Sequence, residues 1–600
     1  MGPVPPFNPV RTLHPLIRSR AEYQRIQSRV FVQHTRLLHT SRLRLRPQLP
    51  LLHAIKPQTI LQPRPARSFT TEDRQQLREN AIIVGKCCLV LVVVTVCFGM
   101  LKNGLQQWQW EKQYPEPPEF SWRSKWLYRT AKGKSAPGRD RIVEWMGVAN
   151  AWKTLIEKLE DPQSDGAGIK PRLGEGEDLL VEGIGKTGFD ITAKSETWRR
   201  GYFEALMGAA KAGEHLDGWI RDKNRPYIAF PPESVIGPSN PRPKPVPHGW
   251  PDPPKEEDCE AAFDRPEVYY MKILTTESFT SRQKLEAALA YADFLQSGGL
   301  SSSASDMIEW GMDIATRNAH PGVVDKHTGI IADGAAGVSE NIILATSALA
   351  MHKVRSKNLA AALPIYISIL RAQRSLPLAD PILFAKTKPL RKVPETWFEK
   401  INDMFEKVPY PDPPTSGDEQ ATRTLVANCD EAATMAHIGE ILYASSYEST
   451  PQTTGLVTGS QEAGLSWTRD AVELAEATFE LVSQSGSRHS QPVASNASQT
   501  ALQDSSEEAK ARDRCAECLA MAVENWKKMV EPLREAEKVK RQLDAAKPQQ
   551  QTWTWLWNST PTKETSIEPG KWEREEMAVE TRQKELQRLL LREGLYFADS

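Results

Sequence analysis

Two cysteines form the first motif in this chain that could do chemistry. Cys515 and Cys518 stand in a CxxC spacing, which suits thiol–disulfide exchange or one half of a zinc site. The surrounding letters, RDRCAECLAMAVENW, are typical of a helix, and neither a second ligand pair nor a flanking histidine accompanies them. We therefore expect two buried helical cysteines, with a disulfide between Cys515 and Cys518 as the alternative.

Two other fragments match catalytic motifs only in part. The letters GIGKT at Gly183–Thr187 end like a phosphate-binding loop, but that motif needs a glycine where this chain has Leu180. Glu214–His215 lacks the second histidine of a zinc protease, and the GxSxG serine elbow is missing. The sequence therefore predicts no catalytic set, no cofactor and no metal site, so we expect a protein that is not an enzyme.

The composition of the first 71 residues predicts a location in the cell. Residues 1–71 contain eleven arginines and one lysine but only one acidic residue, Glu22. Such a composition is typical of a disordered, cleavable mitochondrial presequence, and Arg67–Thr70 resembles a processing site with cleavage near Phe69. The alternative is a solvated basic tail that binds anionic lipid or nucleic acid.

An apolar run follows directly and predicts a membrane span. Residues 81–101 are 21 in number, close to the roughly 20 needed to cross a bilayer as a helix. Lys86 can reach the nearer surface with its long side chain. A buried core helix and a secretory signal are the alternatives. A presequence followed by a stop-transfer helix would leave the N-terminus in the matrix and the remainder in the intermembrane space.

Beyond the run, the composition predicts a largely helical protein. Acidic and basic residues balance at 76 each, which argues against nucleic acid as a partner. Helical periodicity dominates and strand patterns are scarce, so the predicted fold class is all-α. The predicted segments are an aromatic and Pro-rich juxtamembrane segment at 108–130 that lies against the membrane or docks a partner, a helical region at 141–224, a Pro-rich linker at 230–257, a helical array with inserts at 260–546, a second linker at 547–570 and a C-terminal helix at 571–595.

The predicted helices of the array come in antiparallel pairs. Within 141–224 the helices are Arg141–Glu160 and Lys194–Asn224. The pairs are Ser281–Gln296 with Ala304–Thr316, Ser339–Val354 with Leu359–Arg374, and Cys429–Ser445 with Gln461–Ser483, and a further helix is predicted at Glu507–Leu543. Pro364 should kink its helix or delay its start, and Pro532 should interrupt the last one.

Four of these helices carry a degenerate tetratricopeptide (TPR) pattern. Small residues would let paired helices approach closely, while Tyr366 would fill the groove to the next repeat. The predicted packing positions are Leu349, Ala350, Ala362, Leu363, Tyr366, Tyr443, Ala463 and Trp467. Exposed polar positions on the concave face, where such arrays bind polypeptides, would be Asn341, Lys353 and Glu440.

Presequence, single span, the letters YPEPPEFSW and degenerate TPR helices together resemble the fungal adaptor subunit of the mitochondrial i-AAA protease supercomplex. The resemblance covers roughly 72–595 and implies an inner-membrane protein that binds unfolded or unassembled membrane proteins. It implies delivery of these clients to the AAA protease, with that protease and its other adaptor subunit as partners. Inserts at 377–419 and 484–506 depart from the pattern and leave the number of repeats open.

Two other functions fit the same features. One is an anchored scaffold or assembly factor that holds unassembled subunits of a respiratory complex. The other is an outer-membrane TPR import receptor that faces the cytosol, which would keep its N-terminal segment unprocessed.

Overall fold

The computed structural model describes residues 71–136, 143–171, 188–246, 249–334, 337–378, 410–449, 459–488, 501–546 and 570–592. The protein is mostly helical, at 69%, with thirteen helices in the described part. The predicted presequence lies outside these stretches except for Thr71, as do Gly183–Thr187, nearly all of the linker 547–570 and much of both inserts. Described residues up to Met100 and those from Leu101 to Arg588 belong to separate compact units.

The helices are longer than their connections through most of the chain. Their bounds are α1 Thr71–Gln113, α2 Trp122–Ser135, α3 Trp145–Glu160, α4 Glu196–His215, α5 Pro266–Thr275, α6 Ser281–Ser297, α7 Ser301–Thr316, α8 Glu340–Arg355, α9 Leu359–Ser375, α10 Leu425–Ser449, α11 Gly459–Arg488, α12 Ala501–Ala546 and α13 Lys571–Arg592. Five short strands join them: β1 Lys170–Pro171, β2 Phe189–Asp190, β3 Ile220–Asp222, β4 Arg225–Phe230 and β5 Cys259–Ala261.

Helix α1 contains the predicted span. By length and composition it is the one helix of the described part that could cross a membrane. A window of 18 residues within it has a mean hydropathy of 2.7, and none of that window is buried. It extends past the apolar run at both ends, because the flanking Glu, Gln, Leu and Lys residues favour helix.

The predicted juxtamembrane segment 108–130 is more ordered than expected. Its first part belongs to α1, and its second part forms α2, which begins at Trp122 with Ser121 as its N-cap. Phe120 and Tyr128 are buried, with their rings 6.2 Å apart. The prolines of this segment stand before the N-cap, so they leave residues 122–135 free to form helix.

A small sheet replaces the end of a predicted helix. The predicted helix Lys194–Asn224 ends at His215, and Gly218, with φ +72°, turns the chain into β3. The strand order is β4-β3-β5, antiparallel throughout, and a second sheet pairs β1 with β2. Strands of two to six residues show too little alternation to be recognised by period, which is why the all-α prediction missed them.

The predicted linker 230–257 is a folded loop between β4 and β5. Ile236 N–H donates to the Pro254 carbonyl at 3.1 Å, and Ser239 Oγ donates to Glu256 Oε1 at 2.6 Å. Val235 is buried. Because both ends of the loop are held in one sheet, it cannot act as a spacer between separate bodies.

The first hydrophobic core joins α2 to α8. Its cluster contains ten aromatic side chains: Phe120, Tyr128, Trp152, Trp198, Tyr202, Phe203, Tyr269, Tyr270, Phe279 and Tyr291. Such side chains bury large areas and favour edge-to-face contacts, as between Tyr128 and Trp152 at 5.9 Å.

Three helical hairpins follow: α6 with α7, α8 with α9, and α10 with α11. Local signals explain their bounds, since Thr280 forms a capping box with Gln283, and Ser339 and Asn358 cap α8 and α9. Pro364 lies exposed inside α9, whose start at Leu359 it does not delay. Pro532 likewise lies within a continuous α12, contrary to the predicted interruption.

Candidate binding surface of the helical array

The second hairpin packs through small residues on the inside and an aromatic ring at its edge. Ala350 of α8 and Ala362 of α9 are fully buried. The ring of Tyr366 lies 5.4 Å from that of His437 on α10, so it fills the space between the second hairpin and the third. Leu349 and Leu363 are half-buried. The predicted packing residues of this hairpin thus lie at or near its interfaces.

The third hairpin uses glycine where alanine was predicted. Ala463 is exposed, so its assignment as a packing residue is wrong. A Cβ added to Gly439 of α10 would lie 2.7 Å from the carbonyl oxygen of Gly464 on α11, and the reverse holds at the same distance. The two backbones therefore approach more closely than any side chain allows. The register that faces Gly464 to Gly439 turns the preceding Ala463 outward.

Tyr443 and Trp467 lie on the same hairpin but differ in their contacts. The Tyr443 hydroxyl donates to the Met529 carbonyl oxygen of α12 at 2.8 Å. Trp467 is half-buried. Tyr443 thereby ties the third hairpin to the long helix that follows, which the TPR pattern did not predict.

A disulfide joins α10 to α12. Cys429 bonds to Cys515 with their Cα atoms 5.0 Å apart, while Cys518 stays a buried free thiol. Burial raises the pKa of the Cys518 thiol to about 11. The prediction of buried helical cysteines agrees with the structure, but the alternative of a Cys515–Cys518 bridge is wrong. Cys429 and Cys515 are 86 residues apart in the chain, so no local sequence pattern indicates that they pair.

One predicted binding residue is covered by the chain itself. Asn341 is fully buried beneath residues 410–424, a segment that we term the strap. The Asn341 side chain donates to Asp418 Oδ1 at 2.8 Å and its backbone N–H donates to the Gly417 carbonyl at 3.2 Å. Gly417 has φ +74° and leaves no space for a Cβ against Asn341. Asn341 is therefore not an exposed concave-face position.

The strap holds several helix ends through one carboxylate. Asp418 Oδ2 accepts hydrogen bonds from Ser281 Oγ of α6 at 2.7 Å and from Asn318 Nδ2, just beyond α7, at 2.9 Å. At its start, the carbonyls of Pro411 and Asp412 accept from Arg200 of α4 at 3.2 and 3.0 Å. The strap thus connects the aromatic core with the first two hairpins along one edge.

A second polar surface draws its residues from four helices and is partly exposed to solvent. We term it the polar row, and its members are Asp293 of α6, Arg355 of α8, His437 and Glu440 of α10 and Asn525 of α12. Arg355 forms an ion pair with Asp293, and Asn525 Nδ2 donates to Glu440 Oε2 at 3.4 Å. Lys353 is half-buried two residues before Arg355. Of the predicted binding residues, Glu440 belongs to the row and Lys353 lies beside it.

The charges of the row meet at Tyr366. Burial raises the pKa of the Tyr366 hydroxyl, the Glu440 carboxylate raises it further, and the Arg355 guanidinium opposes both. Glu440 also lies 3.8 Å from His437 Nδ1. The row therefore places a cation and a carboxylate near one tyrosine, and both charges can pair with charged side chains or peptide groups of a bound polypeptide.

The Glu214–His215 fragment occupies a structural position. Glu214 accepts a hydrogen bond from the Tyr270 hydroxyl at 2.6 Å, and His215 stacks on Trp145 at 3.7 Å. Within the described residues no group of three His, Cys, Asp or Glu side chains is placed to hold a metal ion.

Comparison with known proteins adds no relative to this picture. No protein family, curated protein or solved structure matches the chain.

Proposed function

We propose that the protein is a membrane-anchored TPR-like adaptor that binds unfolded or unassembled membrane proteins and delivers them to the i-AAA protease of the mitochondrial inner membrane. Helix α1 would span the membrane with the N-terminus in the matrix. The array from α6 onward would lie in the intermembrane space, where its polar row would hold the client.

The observation that carries the proposal is the polar row on successive hairpins. Arrays of paired helices bind polypeptides along a continuous surface built from many repeats. Here Arg355 and Glu440 come from successive hairpins and both act on the Tyr366 hydroxyl, and Asn525 of α12 donates a hydrogen bond to Glu440. Binding along such a strip needs no catalytic group.

The disulfide supports the proposed location of the array in the intermembrane space. Structural disulfides persist in oxidising compartments and are rare in the reducing cytosol. The Cys429–Cys515 bond lies in the part of the chain that the proposal assigns to the intermembrane space. A cytosol-facing import receptor would carry this bond in an unfavourable redox environment, so the bond favours the inner-membrane adaptor over that alternative.

Address and topology can be tested together by protease protection. In intact mitochondria the region from α6 to α13 should resist added protease, and it should become sensitive once the outer membrane is ruptured. The N-terminus of the mature protein should begin near Thr70. Digestion in intact mitochondria would refute the proposed location.

The role of the polar row can be tested by charge reversal. Pull-down of the tagged protein from detergent-solubilised mitochondria should recover the AAA protease and, in a protease-inactive background, trapped membrane-protein clients. Arg355→Glu and Glu440→Lys should reduce client recovery while the AAA protease is still recovered. Arg371→Glu is the control, because Arg371 also forms a surface ion pair, with Asp333, but lies outside the row.

The outcomes separate the competing functions. Recovery of a respiratory-complex subunit with no AAA protease would favour the assembly-factor alternative and refute the adaptor. Equal client recovery by Arg355→Glu, Glu440→Lys and Arg371→Glu would refute the polar row as the client site.

A further inference from the structure

Helix α2 presents two exposed tryptophans on one side. Trp122 is 73% exposed and Trp126 is 44% exposed, and their i,i+4 spacing places them next to each other on the helix surface. By contrast Trp152 and Trp198, in the core that α2 helps to build, are almost completely buried. A large aromatic pair left open to solvent marks an interaction surface.

The charged residues of helix α2 itself all have one sign. Helix α2 contains Arg123, Lys125, Arg129, Lys132 and Lys134 and no acidic residue. Arg129 and Lys132 are neutralised inside the protein by Glu111 and Glu204. The Arg123 guanidinium instead lies 5.6 Å from the Trp122 ring centre, and Lys125 Nζ donates to the Pro118 carbonyl at 2.9 Å. The exposed face is therefore aromatic and cationic.

The opposite face of α2 is fixed. Tyr128 and Ala131 are buried in the aromatic core, so the helix cannot rotate to hide its tryptophans. The end of α1 also packs on it: the Trp110 indole lies directly against Gly133, and Gln107 Nε2 donates to Thr130 Oγ1 at 3.0 Å. The tryptophan face is thus held rigidly with respect to residues 101–113.

These contacts tie the face to the helical residues that follow Leu101. Gln107 is six residues beyond Leu101 on one continuous helix, about 9 Å at 1.5 Å per residue. Trp122 is eight residues from Thr130 on α2, about 12 Å by the same rise. If α1 spans the membrane as proposed, both tryptophans lie within reach of the headgroup region.

We propose that the Trp122–Trp126 face docks on the surface of the membrane that α1 crosses, with the two indoles at the interface and Arg123 and Lys125 on anionic lipid headgroups. Tryptophan favours the membrane–water interface, and Arg and Lys beside it favour anionic lipid. The inference rests on the proposed span. It gives the protein a second contact with the membrane, through α2, in addition to the span.

Brominated-lipid quenching of tryptophan fluorescence tests the docking. The full chain is reconstituted into vesicles of phosphatidylcholine and phosphatidylglycerol that are brominated near the headgroup. A Trp122→Ser/Trp126→Ser double variant should lose part of the quenching that the wild type shows. Trp250→Ser, which removes another exposed tryptophan, should leave the quenched component unchanged. Arg123→Glu/Lys125→Glu should reduce quenching in anionic vesicles and have little effect in pure phosphatidylcholine.

Two results would overturn the inference. One is equal loss of quenching in the double variant and in Trp250→Ser, and the other is quenching of Trp122 and Trp126 that appears only when a partner protein is added. Alkaline carbonate extraction is run in parallel: a chain that is extracted refutes the span, whereas a retained chain with unquenched tryptophans refutes only the docking. Thermal unfolding of each variant verifies that the exposed substitutions leave the fold intact.

Discussion

The aromatic core, whose rings lie on or beside α2 to α6, and the later part of the array, α8 to α13, are stabilised by different means. The first contains ten buried aromatic side chains in one cluster, whereas the described residues of α8 to α13 contain four: Tyr366, Phe479, Trp526 and Trp572. The array depends instead on the Gly439–Gly464 contact, the Cys429–Cys515 bond and ion pairs between helices, such as Arg374–Glu431 at 2.7 Å.

Each strategy suits the region's geometry. Helices α2 to α6 have 10 to 20 residues each, and large rings fill the spaces between such short elements well. Long helices lying side by side need little volume between them, so small residues bring the backbones together and cross-links secure the register. The last helix illustrates this, because α13 is held on α11 by Arg469–Glu575, Arg582–Glu476 and Lys571–Glu462.

The largest expected effect is the loss of an aromatic side chain from the first core. Trp152→Ala should lower the free energy of unfolding by about 4 kcal/mol, because it removes a fully buried indole and leaves a cavity beside Tyr128 and Gly208. Hydrogen exchange resolved by peptide should show the loss in α2 to α6 first. Trp152→Phe, which keeps much of the volume, should lose less. Equal loss in both regions would mean that they unfold as one body.

Removal of the disulfide should act on the array. Cys429→Ala should lower the free energy of unfolding by about 3 kcal/mol, since the bond closes a long loop. Chemical reductant should destabilise the wild type by a similar amount and leave Cys429→Ala unchanged. Cys259→Ala, which alters a free cysteine, is the control. A reductant effect confined to α2–α6 would contradict the claim that the disulfide stabilises the array and not the aromatic core.

The glycine contact predicts a smaller loss in the same region. Gly464→Ala should cost about 2 kcal/mol, because the new Cβ would press on backbone atoms of Gly439 and Tyr443 that have little freedom to move. Gly459→Ala, at the start of the same helix, has nothing within 4 Å of the added Cβ and should be neutral or slightly stabilising. Denaturant unfolding of the two variants measures the difference in their free energies of unfolding. Similar stabilities would contradict the claim that the Gly439–Gly464 contact requires glycine.

The smallest effect is a pH dependence in the aromatic core. Burial alone would raise the pKa of the Glu204 carboxyl, but the Lys132 ammonium, the Tyr128 hydroxyl and Arg200 together hold it below its ordinary 4.5. Because the folded pKa lies below the unfolded one, this stabilisation is present above about pH 4.5 and is lost as the pH falls through the folded value. Glu204→Gln should cost about 1 kcal/mol at pH 7. It should also weaken the stability loss below pH 4.5, as thermal unfolding across pH would show.

Local patterns predicted the helices well where caps and periodicity agree. The helices from α6 to α9 begin and end within a few residues of the predicted bounds, because Thr280, Ser339 and Asn358 are strong N-cap signals. Where the outcome depended on a distant partner, prediction failed. Neither the burial of Asn341 under Asp418 nor the pairing of Cys429 with Cys515 has any local trace.

The amino-acid sequence alone determined the apolar α1 helix, the helical class and the hairpin order, since these depend on hydrophobic periodicity, propensity and capping within short windows. Only the tertiary structure decided which polar residues remain accessible, which cysteines pair and which small residues touch. These properties depend on residues far apart in the chain, as Asn341 and Asp418 or Gly439 and Gly464 are, and on a packing register that no single segment specifies.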